Sequence, residues 1–80
     1  MLNTFIIKCA DGSKHTLKTD YKAINIRNRM AIYYYFESVV RMSRHDIVKI
    51  YKAESDEDLE GCRMGITVTK ELVHRYNRFH

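Results

Sequence analysis

The chain has no proline and no tryptophan, and only three glycines and two cysteines in 80 residues. So few breakers leave little room for long irregular loops, and regular elements should fill most of the length. Cys9 and Cys62 stand far apart, form no C-x-x-C pair and follow no secretory leader pattern. They point to a reduced, cytoplasmic protein with free thiols; a bridge would need their Cα atoms about 4.4 to 6.8 Å apart. The longest apolar run, Met30 to Phe36, is far too short to span a bilayer, so no membrane association is expected.

One further absence is local. From Glu54 to Glu60 there is no Lys or Arg, and five of the ten acidic residues fall there: Glu54, Asp56, Glu57, Asp58 and Glu60. That segment has a formal charge of −5, while the other 73 residues carry 14 Lys+Arg against 5 acids, or +9. The overall +4 is therefore the sum of two opposed patches, and a basic body with one acidic segment is suited to charged partners. At 45% hydrophobic residues, with six Tyr and three Phe, the chain should fold, and 80 residues suffice for one small domain without a linker.

Hydrophobic periodicity gives an α+β layout. Thr4 to Lys8 and Lys14 to Lys18 are β-favouring runs around Asp11-Gly12-Ser13, which reads as an N-terminal β-hairpin. Asp20 is placed to cap a long helix starting at Tyr21, with Ile24, Ala31, Tyr35 and Met42 toward the core, flanked by Val39 and Tyr34. The opposite side of that helix mixes Lys22, Ile26, Arg29, Tyr33, Val40 and Arg44, a combination suited to contact. Asp46 to Ala53 reads as a strand, the acidic stretch as an exposed connection, and Ile66 to Val68 as a further short strand. Thr69 is the expected N-cap of a last helix from Lys70 to Phe79 with Leu72, Val73, Tyr76 and Phe79 on its apolar side. The expectation is one or two further antiparallel strands, with both helices on one sheet face.

Candidate chemistry is sparse. Asp56, Asp58, Glu60 and Gly61 echo the first half of a calcium loop, but Met64 and Thr67 stand where later ligands are needed. The histidines His15, His45, His74 and His80 and the two cysteines lack zinc-ligand spacing apart from His74 with His80 at the chain end, so no metal and no cofactor are expected. Ser43-Arg44-His45-Asp46 groups catalytic residue types, yet sequence neighbours point apart, and the better reading is a helix end followed by a turn. No catalytic residue is assigned.

Cations interleaved with aromatics are the broadest signal, since polyanion binding needs charge to displace counterions and flat rings on which bases stack. Arg29, Tyr33 and Arg44 on the long helix, with Lys70, Arg75 and Arg78 on the last, are the expected nucleic-acid contacts. The chain reads as a non-enzymatic basic module that engages RNA or DNA, or a nucleoprotein assembly. An alternative gives the contact to Asp56, Glu57, Asp58 and Glu60, or to the aromatic helix face, docking on a nucleic-acid-handling protein. The aromatic run also suits a homodimer, because it circles the helix and one monomer's core cannot take every ring. In composition, without Pro or Trp and rich in Ile, Lys, Arg and Tyr, the chain resembles small accessory proteins of phages and other mobile elements. That resemblance implies a regulator or an inhibitor of a host defence enzyme, and it assigns no residues.

Overall fold

The first two strands, β1 (Asn3–Cys9) and β2 (Lys14–Thr19), pair antiparallel from Asn3 opposite Thr19 to Lys8 opposite Lys14 in a computed structural model that describes residues 1–79. Their turn works through local chemistry. Gly12 takes φ 87°, where a side chain would be strained, and Asp11 Oδ1 accepts from both the amide and the hydroxyl of Ser13.

The first helix, α1 (Ile26–Val39), starts five residues later than Asp20 as a cap would place it. Asn25 and Asn28 cap each other instead: each side-chain oxygen accepts the other's backbone amide, and Asn28 Nδ2 donates to the Ala23 carbonyl. Asp20 is used elsewhere, its carboxylate accepting the Lys70 amide at 2.8 Å and so serving the start of the second helix, α2 (Lys70–Phe79). Thr69 caps that helix as expected, through the Leu72 amide. At the far end of α1 the chain leaves the helix through Arg41, a non-glycine residue at φ 68°.

The buried stripe of α1 is also rotated from the expected one. Asn28, Ala31, Ile32 and Phe36 are buried, whereas Val39, expected toward the core, is 58% exposed. Ile24 and Met42 lie outside the helix and pack on the core from its flanks.

The third strand, β3 (Ile47–Lys52), pairs antiparallel with β1, and the fourth, β4 (Arg63–Thr67), pairs parallel with β2. The sheet order is β3-β1-β2-β4, so an antiparallel addition is correct for β3 and must be corrected for β4. Parallel pairing arises because β4 is reached by a crossing connection rather than a hairpin. Gly65 makes that pairing sterically possible: a Cβ there would stand 1.6 Å from the Thr16 carbonyl oxygen. His15, buried, strengthens the same seam, its Nδ1 lying 3.2 Å from the Met64 carbonyl and its ring edge-on to Phe36.

Both helices cover one face of the sheet, where Phe5, Ile7, Cys9, Leu17, Ile66 and Val68 join Ala31, Ile32, Phe36 and Val73 in a single core. Strand alternation sends Thr4, Ile6 and Lys8 to the second face, with Lys14, Thr16 and Lys18 beside them. Since β3 and β4 run the same way at opposite edges, residues 53–62 must return across the sheet. With α1 and α2 on one face, the acidic connection takes the other. Leu59 there lines a recess with Leu2 and Thr4, and Ile6, though it faces away from the helices, has no exposed surface. The cysteines are free, Cys9 buried and Cys62 partly so. Among the described residues, no helix is long and apolar enough to cross a membrane.

Candidate nucleic-acid interface

Of the six cationic and aromatic residues expected to contact nucleic acid, three gather at the flank where α1 meets β3. Arg29 and Tyr33 line a groove of about 220 Å³ together with Ile24, Ile47, Val48, Lys49 and Ile50. Arg44 joins them from the turn after α1, its guanidinium 5.7 Å from the Tyr33 ring centroid. Its charge is already engaged. Nη2 and Nε donate to Glu37 Oε1 at 2.7 and 3.1 Å, and the Arg44 amide donates to Oε2 at 2.9 Å. These hydrogen bonds, side chain first, hold the Glu37 carboxyl down at about 2 and push the Arg44 guanidinium upward.

The other three lie apart, on α2. Lys70 sits 5.7 Å over the Tyr21 ring and borders a recess of about 420 Å³ with Arg27, His74, Asn25 and Asn77. Arg75 pairs with Glu71 one turn earlier at 2.9 Å, both side chains mostly in solvent, where such a pair contributes little. Arg78 lies 5.7 Å from the ring of its neighbour Phe79. The expected set therefore divides between a group at the α1–β3 flank and three separately engaged residues along α2.

A third cationic group, not among the expected contacts, is brought together only by the strand register. Lys8 stands directly opposite Lys14 on β2 and directly opposite Lys49 on β3. The three lysines occupy a row of positions across neighbouring strands on the second face, and no acidic residue lies on the strand segments that make this face. Lys49 Nζ lies 5.1 Å from the ring centroid of Tyr51, which occupies the same face next along β3. Asp11, the acid of the adjoining turn, is bound to Ser13, whose hydroxyl and amide lower its pKa. The available signal was a lysine on each side of the Asp-Gly turn; the third member becomes visible once β3 is known to pair with β1.

The alternative acidic residues occupy a single 3-10 turn over Asp56–Leu59 and the residue after it, Glu60. Asp58 is structural, its Oδ2 accepting the amides of Glu54 and Ser55 at 2.8 and 3.2 Å. Asp56, Glu57 and Glu60 are exposed, and no member of the segment forms an ion pair among the described residues. Of the fourteen Lys and Arg, only Arg44 and Arg75 are ion-paired among the described residues. On the aromatic helix, Ile26, Met30 and Tyr34 recur at i, i+4 and i+8 and are 80%, 44% and 40% exposed.

Ser43-Arg44-His45-Asp46 makes a turn: Ser43 Oγ accepts the His45 amide, Arg44 is bound to Glu37, and the Asp46 carbonyl accepts the Ala10 amide at 2.8 Å. No three His, Cys, Asp or Glu side chains among the described residues are grouped so as to hold a metal ion. His80, considered above with His74, lies outside the described residues. Comparison with protein-family models, with curated proteins and with solved structures finds no match to this chain.

Proposed function

We propose that the chain is a non-enzymatic module that binds RNA or DNA through its phosphates. The observation that carries this reading is electrostatic: twelve of its fourteen cations have no carboxylate ion-pair partner among the described residues, and the −5 segment forms an ion pair with none of them. Unpaired surface cations held at fixed spacing gain free energy by displacing the counterions of a polyanion. Arg29 and Tyr33 contribute a cation and a ring at the α1–β3 groove, with Lys49 completing its rim. Lys70 with Arg27, and Arg78 farther along α2, extend the positive field around the molecule.

The test is retention of labelled mixed-sequence RNA and DNA on a filter across a salt series. Affinity should fall steeply, log K dropping by about 0.7 to 0.9 per decade of salt for each phosphate neutralised. Binding that is flat with salt, or no retention, contradicts the reading.

A second reading is favoured by one observation, the exposed state of Asp56, Glu57 and Glu60, none of which is ion-paired among the described residues. In it, the acidic turn docks on the basic groove of a nucleic-acid-handling enzyme. The triple change Asp56→Asn, Glu57→Gln, Asp58→Asn separates the two, and the side-chain amide oxygen placed at position 58 can still accept the backbone amides of Glu54 and Ser55. Nucleic-acid affinity is expected to hold or rise, because a repulsive charge is removed; under the second reading, nuclease-resistant capture of a protein partner collapses instead.

A further inference from the structure

We infer that the lysine row Lys14–Lys8–Lys49, together with Tyr51, is the track on which a single-stranded nucleic acid lies before turning over the β3 edge toward Arg29 and Tyr33. This inference rests on the nucleic-acid reading above and names both the surface and the form of the ligand. Three observations carry it.

The first is the register. Lys8 is flanked on both sides by directly opposed lysines, so the row spans two inter-strand spacings, about 10 Å. Like charges placed directly opposite in a sheet destabilise it, and an anion lying along the row relieves both repulsions at once. The second is the boundary. The acidic connection crosses this same face from Lys52, where Glu54, Asp56 and Leu59 line a recess with Leu2 and Thr4, to Arg63, level with His15. Glu54 and Asp56, beside Leu2 and Thr4, repel a polyanion from the end of the face away from the lysine row and leave the β3 edge as its approach. The third is continuity. Lys49 belongs both to the row and to the rim of the groove holding Arg29 and Tyr33, so one path joins the sheet face to the helix flank.

Tyr51 selects the form. Its half-buried ring, already beneath the Lys49 ammonium, offers an aromatic surface beside the phosphate-binding row, and stacking on it requires a base free of its pairing partner. A duplex keeps its bases stacked inside and can use only the lysines. Ring and cations together therefore favour an unpaired strand.

The experiment uses fluorescence anisotropy with an oligothymidylate and an oligouridylate of about 15 nucleotides, against a duplex of equal length. Replacing Lys8, Lys14 and Lys49 together by Ala should weaken single-strand binding at least about tenfold and reduce the salt slope by about 2, near 0.7 for each lost contact. The matching triple Arg variant should keep the slope. Tyr51→Ala should lose roughly tenfold on single strands and little on duplex, while Tyr51→Phe stays near the parent.

Acetylation footprinting of the unaltered chain gives an independent readout: the oligonucleotide should protect Lys8, Lys14 and Lys49 and leave Lys22 open. Parent-like binding by the triple Ala variant, protection confined to Lys22 and Lys70, or preference for duplex overturns the track while leaving nucleic-acid binding intact. No binding by the parent chain overturns both.

Discussion

Glu37 grips Arg44 from two sides, one carboxylate oxygen taking the guanidinium at 2.7 Å and the other the Arg44 amide at 2.9 Å. The pair pins the turn after α1 and takes Arg44 out of the pool of free cations. With a folded pKa of about 2 against an ordinary 4.5, Glu37 stabilises the fold fully above about pH 4.5, and this contribution is lost as pH falls toward 2. Urea melts across that range should show the parent losing stability that a Glu37→Gln variant, already weaker at neutral pH, does not lose. The same variant frees Arg44, so its nucleic-acid binding should gain up to one phosphate contact, steepening the salt slope by about 0.7.

Lys8 between Lys14 and Lys49 is unfavourable for folding, by about 0.2 to 1 kcal/mol for each opposed pair. Lys8→Thr should therefore raise the urea midpoint at low salt, and the gain should shrink at high salt as the charges are screened. Nucleic-acid affinity should fall in the same variant. A position where stability and binding move in opposite directions is the expected signature of a surface kept basic for its ligand. Stability unchanged at low salt would mean that the three side chains splay apart.

Gly65 is required for a different reason: a methyl group there would meet the Thr16 backbone at 1.6 Å, and backbone cannot yield as a flexible side chain does. Gly65→Ala should separate β4 from β2 at a cost of about 3 kcal/mol, a large share of the stability of so small a domain. Hydrogen exchange should show lost protection at the Val68 amide, which donates to Lys18 across that seam.

The local parts of the fold were readable from the sequence. Asp-Gly marked the hairpin, Thr69 marked the start of α2, and the alternation after Asp46 marked β3, each a feature set by nearest neighbours. What escaped were choices among competing local partners and everything set by register. Asp20 and Asn25 are both good caps; Asn25 took α1 because Asn28 could answer it, and Asp20 was left to reach fifty residues along the chain to Lys70. The parallel pairing of β4 needed the crossing connection, which no local pattern encodes. The candidate site followed the same rule. Arg29 with Tyr33 is a helix spacing and was legible, whereas Lys49 came to stand beside Lys8 only through strand pairing.

The most direct measurement is amide chemical-shift mapping of the unaltered chain during titration with a short single-stranded oligonucleotide at low salt, repeated at high salt. Shifts should concentrate at Lys8, Lys14, Lys49, Tyr51, Arg29 and Tyr33 and should fade as salt is raised. An unchanged spectrum, or changes confined to Asp56, Glu57 and Glu60, would contradict binding of nucleic acid by the unpaired cations.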